Sequence, residues 1–400
     1  MHILMIAPEP FFEPRGTPFS EYHRIKALLA LGHTVDLVTY PFGRDVEMPG
    51  LRVFRCLRPP FITSVGIGPS VAKVPLDLSL AGTAFRRALA GRYDAIHSHE
   101  EGVAIGLAIA AALGVPHLYD MHSSLPQQLS NFKFSRSRVL RWMFEVLERV
   151  AVRRSKVIIV ICAELERLVR AIQPAARPVL IENAPGAGDV ADGGGRDRVR
   201  AEFGFADTTP VALYTGTFEA YQGLDLLFDA MALVAARRPE ARLLLAGGRP
   251  DQIAAARREV DGRGLTRHIV FAGERPAAQI PHFLDAADVL VSPRSRGTNT
   301  PLKIYQYLRA GRAIVATRLL THTQVLDDEV AILTEPTPAA FADGILAALD
   351  DPERSRALGA RAGALASSKY SYEAYLARTH DAVSRLSGAT AGAAVPGSAA

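Results

Sequence analysis

Two rhythms of apolar residues alternate along the chain. Short runs rich in β-branched and other apolar residues, HILMIA (2–7), TVDLVT (34–39), DAIHSH (94–99), PHLYDMH (116–122) and KVIIVIC (156–162), are separated by longer segments whose apolar residues recur every three or four positions. A run of this kind and strand length predicts a strand buried on both faces, and the longer recurrence predicts an amphipathic helix. The predicted helices are SEYHRIKALLALG (20–32), AFRRALAG (84–91), 103–114, roughly 138–154 and AELERLVRAI (163–172). Strands alternating with helices imply a parallel sheet covered on both faces.

The rhythm stops at APGAGDVADGGGRDR (184–198), rich in Gly, Pro and Asp, which reads as an interdomain linker. It resumes with the strand-like VALYTGT (211–217), ARLLLAGG (241–248), HIVFAGE (268–274), DVLVSPR (288–294) and AIVATR (313–318), with helical patterns between them. The expected fold class is therefore α/β, two Rossmann-like doubly wound domains. The first spans 1–183, the linker 184–198 and the second 199–370. A capped amphipathic helix at 371–386 either ends the second domain or crosses back to the first. The tail 387–400 has almost nothing to bury and is expected to be disordered. In such sheets ligands bind beyond the carboxyl ends of the strands, so the expected site is the cleft between the domains.

Composition narrows this only slightly. Four hundred residues suit two domains, and 48% hydrophobic with 22% charged residues describes a soluble globular protein. Cys56 and Cys162 sit in apolar, strand-like settings and read as buried thiols rather than a disulfide. With no secretory leader and no apolar run of membrane-spanning length, the expected location is cytoplasmic. The net charge of +5 suits an anionic ligand or surface without identifying one.

The candidate chemistry begins at SPRSRGTNTPLKIYQYLRAG (292–311). Thr300 is placed to cap a helix, Pro301 to open it and Gly311 to end it. A helix entered this way offers free N–H groups and its positive dipole end to a diphosphate. Lys303 and Gln306 share one face of it, with Lys303 in the first turn; the alternative is an ordinary solvated Lys and Gln. In LYTGTFEAYQG (213–223), Gly216 and Gly223 bracket Thr217 and Gln222 in a strand-to-helix loop that suits a phosphate or is a plain turn. His97, His99 and His122 follow predicted strands, with Asp120, Glu100 and Glu101 nearby as acid, base or hydroxyl acceptors; structural histidines are the competing reading. The first strand-to-helix loop, PEPFFEPRGTPFSEYH, is long and carries Gly16 at its middle. Between Lys133 and Lys156 there are eight basic residues against two acidic ones. That stretch, 131–156, reads as peripheral membrane contact or a solvated helix, with PPFITSVGIGP (59–69) as a second membrane-facing loop. No nucleic-acid-binding motif accompanies it.

Taken together, the Gly16 loop, GHTVDLVT, DAIHSH, TGTFEAYQGLDLLFDA and the run from VFAGERP through ADVLVSPR to PLKIYQYLRAGRAIVATR resemble a retaining GT-B glycosyltransferase of family 4, over nearly the whole chain. The resemblance implies two Rossmann-like domains facing across a cleft, a nucleotide-diphosphate sugar donor bound mainly by the second domain, no metal or other cofactor, and a C-terminal helix returning to the first domain. The acceptor it implies is a polysaccharide, lipid-linked glycan or other glycoconjugate, which fits cell-envelope polysaccharide synthesis. By position, His122 matches the histidine near the sugar, and Gly16 the loop beside the diphosphate. Gly273 and Arg275 match the region that reads the base.

Four charges of the family pattern are missing. Its paired glutamates fall on Thr298 and Gln306, and its phosphate-clamping arginine and lysine on Thr217 and Gln222. Losing two negative and two positive charges together points to an altered site. There Thr298, Asn299 and Thr300 meet the sugar, Gln306 the ribose, and Lys303 supplies the cation, with Arg275, Arg294 and Arg296 as alternatives. Two other readings stand beside transfer: a non-catalytic GT-B partner subunit, and a changed reaction such as sugar-nucleotide epimerisation or pseudo-glycosyl coupling run by the histidines.

Overall fold

The computed structural model describes residues 1–12, 16–65, 70, 73–127, 137–182 and 195–388. Most of the predicted linker, most of the predicted tail, and parts of the 59–69 and 131–156 stretches lie outside these residues. The chain divides into two compact units, Met1–Asn183 with Glu373–Ala400, and Ala184–Tyr372.

The first unit holds a seven-stranded parallel sheet of order β3-β2-β1-β4-β5-β6-β7. Its strands are β1 (His2–Ala7), β2 (Thr34–Thr39), β3 (Leu51–Arg55), β4 (Ala95–His99), β5 (His117–Met121), β6 (Val157–Val160) and β7 (Val179–Leu180). Side chains alternate across the sheet as strand geometry requires. Leu4 and Ile6 of β1 pack with Leu76, Leu80 and Ala84 of the helix Lys73–Ala90. Ile3 and Met5 face Ile25 and Leu28 of the helix Gly16–Ala30, together with Val383 of the helix Tyr372–Ser387. Further along the first face, Tyr119 and Met121 meet Val103 of the helix Val103–Leu113 and Ala151 and Val152 of the helix Arg138–Arg154. Cys56 and Cys162 are buried free thiols.

The second unit repeats the plan with six parallel strands in the order β10-β9-β8-β11-β12-β13. They are β8 (Val211–Thr215), β9 (Arg242–Ala246), β10 (Ile269–Gly273), β11 (Val289–Ser292), β12 (Ala313–Thr317) and β13 (Ile332–Thr334). One face is covered by the helices Leu224–Arg237 and Pro338–Asp350 through Leu227, Met231, Phe341 and Ile345. The other is covered by Ile304, Tyr307 and Leu308 of the helix Leu302–Ala310 and Ala362 of the helix Pro352–Lys369.

Three local expectations change. The first helix opens at Gly16 rather than near Ser20, which shortens the preceding loop. Residues 195–198, read as linker, begin the helix Gly195–Glu202. That helix exists because Val199 enters the core and the buried Arg200 guanidinium donates to the carbonyls of Ala206, Asp207, Thr209 and Ala286. Finally, Thr300 is not the cap of the helix Leu302–Ala310. Pro301 keeps an extended ψ of 134°, so the helix starts one residue later and no side chain caps it.

Candidate active site

In each sheet the strand order reverses once, between β1 and β4 and between β8 and β11. Loops leaving such a switch point diverge and leave a crevice at the carboxyl ends of the strands. Nearly all the predicted donor residues of the second unit lie on the two loops that leave its switch point. Gly216, Thr217 and Gln222 follow β8; Thr298, Asn299 and Thr300 follow β11 and lead into the helix carrying Lys303 and Gln306.

These two loops are locked together. Ser295 N donates to the Tyr221 carbonyl at 3.1 Å, and the Tyr214 hydroxyl donates to the Thr217 carbonyl at 2.6 Å. Arg294 donates to the carbonyls of Arg296 and Asn299 at 3.0 and 3.1 Å, and Gln324 Nε2 to the Thr298 carbonyl at 2.7 Å. Gly223, at φ +76°, lies so close to the Pro293 carbonyl oxygen that a Cβ would collide with it. Gly247 bears the same relation to the carbonyl of Gly216. The close approach of backbones therefore depends on glycine at both places.

Lys303 stands at the centre of this arrangement. It is only 8% exposed, and its Nζ has no hydrogen-bond partner. The amine lies 3.6 Å from the centroid of the Tyr214 ring, and a Cβ on Gly216 would be 3.3 Å from it. Burial, with repulsion from Arg294 second, holds its pKa well below the usual lysine range. The Oε1 of Gln222 and the Oγ1 of Thr300 are also buried and unpartnered. Buried polar atoms are usually satisfied, so an amine, an amide oxygen and a hydroxyl left open on two adjoining loops have bonds to offer a ligand. No side chain of the cap residue closes the first turn of the helix, whose Ile304 N donates to the Pro301 carbonyl at 3.0 Å, and the start of a helix offers N–H groups outward. Cation, N–H donors and hydroxyl together suit an anion bearing several oxygens.

Not every predicted residue joins this group. Gly273 ends β10 at φ +76° and its carbonyl accepts from Gly247 N at 2.7 Å. Arg275 lies apart from these two loops, just after β10. Its guanidinium is bound to Glu202 and the Ala272 carbonyl and lies over the rings of Phe203 and Phe283. Arg294 is largely spent on its own loop. Gln306 is half-buried, one turn beyond Lys303.

The first unit gathers a second polar cluster. His97 lies within β4 and His99 is its last residue; both are buried, and their rings stack at 4.6 Å. His122 follows β5; its Nε2 lies 3.1 Å from His99 Nδ1 and 3.3 Å from Asp120 Oδ1. Arg24 Nε donates to Asp120 Oδ2 at 2.9 Å, and Arg24 Nη1 to Thr379 Oγ1 at 3.1 Å. Burial would raise the Asp120 pKa, but Arg24 and the histidines outweigh it and hold the carboxyl well below its usual range. Burial lowers all three histidines, so they are neutral imidazoles beside a carboxylate. Ligand atoms of His97, His99 and Asp120 lie within 4.8 Å of one another, the spacing of a loose metal cage. The Arg24 guanidinium already balances the one charge a metal ion would meet there. Gly16 opens the neighbouring helix at φ +56° and is exposed. Glu100 accepts from Ser123 Oγ at 3.0 Å, and Glu101 pairs with Lys73 at 2.7 Å.

Three participants escaped the sequence reading: Tyr214, Arg24 and Thr379. Arg24 had a signal, since it falls three residues from Glu21 and four from Leu28 on the face that carries the buried apolar positions of its helix. A charge on a core-facing stripe needs a buried partner.

Comparison with known proteins gives concordant results. The family model "Glycosyl transferases group 1" matches residues 209–351, and "Glycosyl transferase 4-like domain" matches residues 22–184. A phosphatidyl-myo-inositol mannosyltransferase of Mycobacterium tuberculosis is 26% identical over 362 residues, covering 88% of each chain. An alpha-D-kanosaminyltransferase of Streptomyces kanamyceticus is 26% identical over 296 residues, covering 70% of this chain and 74% of that one. Among solved structures, a sucrose-phosphate synthase from Thermosynechococcus elongatus superposes with a TM-score of 0.80 at 20% identity, over 97% of this chain and all of the other. Anabaena HepE in complex with UDP gives 0.73 at 18% identity, covering 96% and 100%.

Proposed function

This chain belongs to the group 1 glycosyl transferases with a glycosyl transferase 4-like first domain, and from that premise we propose how its altered site works. It transfers a sugar from a nucleoside-diphosphate donor, and Lys303 is the cation that receives the diphosphate. The observation that carries this is the buried, unpartnered Nζ over the Tyr214 ring, between Gly216 and the first turn of a helix. Arginine and lysine at positions 217 and 222 would grip the phosphates from one loop; here the grip comes from the other.

The reaction breaks the bond between the anomeric carbon and the diphosphate oxygen. The acceptor hydroxyl attacks from the face the leaving group vacates, so configuration is retained, and its proton passes to the departing phosphate. No carboxylate base is required. Charge grows on the diphosphate as the bond breaks, and preorganised donors aimed at that charge lower the barrier. Lys303 and the N–H groups of the first helical turn are those donors. Thr298 and Asn299 line the sugar and Gln306 accepts from ribose. His122, neutral and held against Asp120, hydrogen-bonds a sugar hydroxyl.

The acceptor is lipid-linked. The phosphatidyl-myo-inositol mannosyltransferase among the relatives supports an acceptor of this kind. The basic helix Arg138–Arg154 supports contact with a membrane surface, where such acceptors reside. No helix among the described residues is long and apolar enough to cross a membrane.

The test is release of nucleoside diphosphate from a panel of UDP-, GDP-, ADP- and dTDP-sugars, with and without extracted glycolipid. Acceptor-dependent release from one donor is expected. Loss of release in Lys303→Met with the fold intact assigns the cation. A wild-type protein that releases nothing from any donor and binds none overturns the proposal in favour of a non-catalytic subunit.

A further inference from the structure

The helices Lys73–Ala90, Val103–Leu113 and Arg138–Arg154 cover one face of the first unit's sheet, and their outward side is unusual. Of the twelve large apolar side chains left exposed among the described residues, ten belong to this layer and the loop beside it. On the first helix, Val74, Leu78, Phe85 and Leu89 fall within an arc of about 60° at 100° per residue. Leu78 and Leu89 are 72% and 82% exposed. The middle helix, VAIGLAIAAAL, carries no charge and turns alanines outward. On the third, Trp142 and Met143 stand exposed. The loop before the first helix adds Leu57 and Phe61, and it is tied down by Ser79 Oγ donating to the Leu57 carbonyl at 2.8 Å.

Charge on this face has one sign. The exposed charged residues of the three helices are arginines: Arg86 on the first, and Arg138, Arg141, Arg149, Arg153 and Arg154 on the third. Their acidic residues are withdrawn. Asp77 accepts from the Tyr40 hydroxyl, Glu148 is buried, and Glu145 lies between Arg141 and Arg149. A broad apolar surface of this kind marks an interaction site. Apolar side chains interspersed with arginines and free of exposed carboxylates complement the interface of an anionic bilayer, where rings and aliphatic chains enter the acyl boundary and guanidinium groups meet phosphates.

We propose that the whole outward face of this three-helix layer seats on an anionic lipid surface, with the helix Lys73–Ala90 as its apolar anchor and the helix Arg138–Arg154 as its charged edge. This rests on the reading of a membrane-associated acceptor and extends it from one basic helix to a face. It gives the first unit a fixed orientation, sheet and polar cluster behind, lipid in front.

The chain has a single tryptophan, Trp142, on this face, so its emission reports docking directly. Vesicles of phosphatidylcholine with and without phosphatidylglycerol are titrated against the full chain, with sedimentation as the second readout. A blue shift and co-sedimentation are expected only with phosphatidylglycerol. Leu78→Asp with Leu89→Asp, both at exposed positions, should weaken partitioning about tenfold while nucleotide binding in the same samples is unchanged. If that double variant docks like the wild type while Arg153→Glu with Arg154→Glu does not, the face is wrong and only the single-helix contact survives. Failure of the wild type to bind either vesicle overturns both. A concentration-dependent dimer abolished by Leu78→Asp with Leu89→Asp, without vesicle binding, makes the face a self-association surface and overturns the proposal. Absence of nucleotide binding in the wild type would instead indict the transferase site.

Discussion

On the proposed reading, Lys303 holds its site ready at the cost of stability. A buried amine without a partner is unfavourable until a ligand supplies one. Replacement by methionine, which fills similar volume without the charge, is therefore expected to leave melting temperature unchanged or raised. Nucleoside-diphosphate affinity should fall by about 2 kcal/mol, roughly thirtyfold, the worth of a charge-assisted hydrogen bond. Calorimetry and thermal melts on the same samples check both halves. The sign of the pH dependence follows. The free amine's pKa is depressed and a bound diphosphate raises it, so binding takes up a proton between the two values. Affinity should weaken as pH rises through that window, by at most about tenfold per unit for one proton, and the slope should vanish in Lys303→Met. In the first unit, Asp120→Asn leaves the buried Arg24 uncompensated. It should destabilise by about 3–5 kcal/mol, the usual result of halving a buried pair, read from urea denaturation. The sequence offered Lys303 by its place in a first turn, yet its isolation was not legible there. Isolation depends on Tyr214 lying beneath it and on Arg294 being spent on carbonyls.

At the scale of elements, the loops after β8 and β11 act as one piece because glycine lets backbones touch. Gly223→Ala sets a Cβ against the Pro293 carbonyl in a left-handed conformation. A cost of about 1–3 kcal/mol in stability is expected, with nucleotide affinity reduced because Lys303 and Thr300 sit on the displaced loop. Circular dichroism melts and nucleotide titration decide; an unchanged protein would mean the loops are independent. Strands such as β1, β8 and β11 were legible because a strand buried on both faces is apolar along nearly its whole length. Elements with thin apolar faces were not. The helix Pro250–Gly262 buries only Ala256 and Val260, and β3 is half-exposed throughout. The helix Gly195–Glu202 hid in a glycine-rich stretch because it is held by Arg200 donating to carbonyls beyond the helix, at Ala206, Asp207, Thr209 and Ala286, rather than by an apolar stripe. Thr300 was misread as a cap for a different reason: a threonine before proline fits two roles, and the ψ of Pro301 chose between them.

For the molecule as a whole, buried neutral histidines set the acid limit. His117, between Ser98 and Ser155, is lowered by burial to about 3, and His322, between Ser292 and Thr317, also to about 3. Unfolded histidine titrates near 6.5, so the unfolded state gains protons first as pH falls. Stability supplied by these groups is complete above about pH 6.5 and is lost toward pH 3, by up to about 1.4 kcal/mol per unit for each. Denaturant midpoints between pH 7 and 4 should fall accordingly, one unit in each half of the chain, and His322→Gln should flatten the loss in the second unit. The two-unit α/β plan was readable because the rhythm of strands and helices starts twice. The site was only half readable, since four absent charges say that something changed without saying what stands in their place. The measurement that bears most directly on this account is calorimetric titration of the wild type and Lys303→Met with UDP, GDP, ADP and dTDP at low salt. Saturable binding of one nucleotide, weakened roughly thirtyfold in the variant, is the predicted result. Binding of none, or equal binding by both proteins, would contradict it.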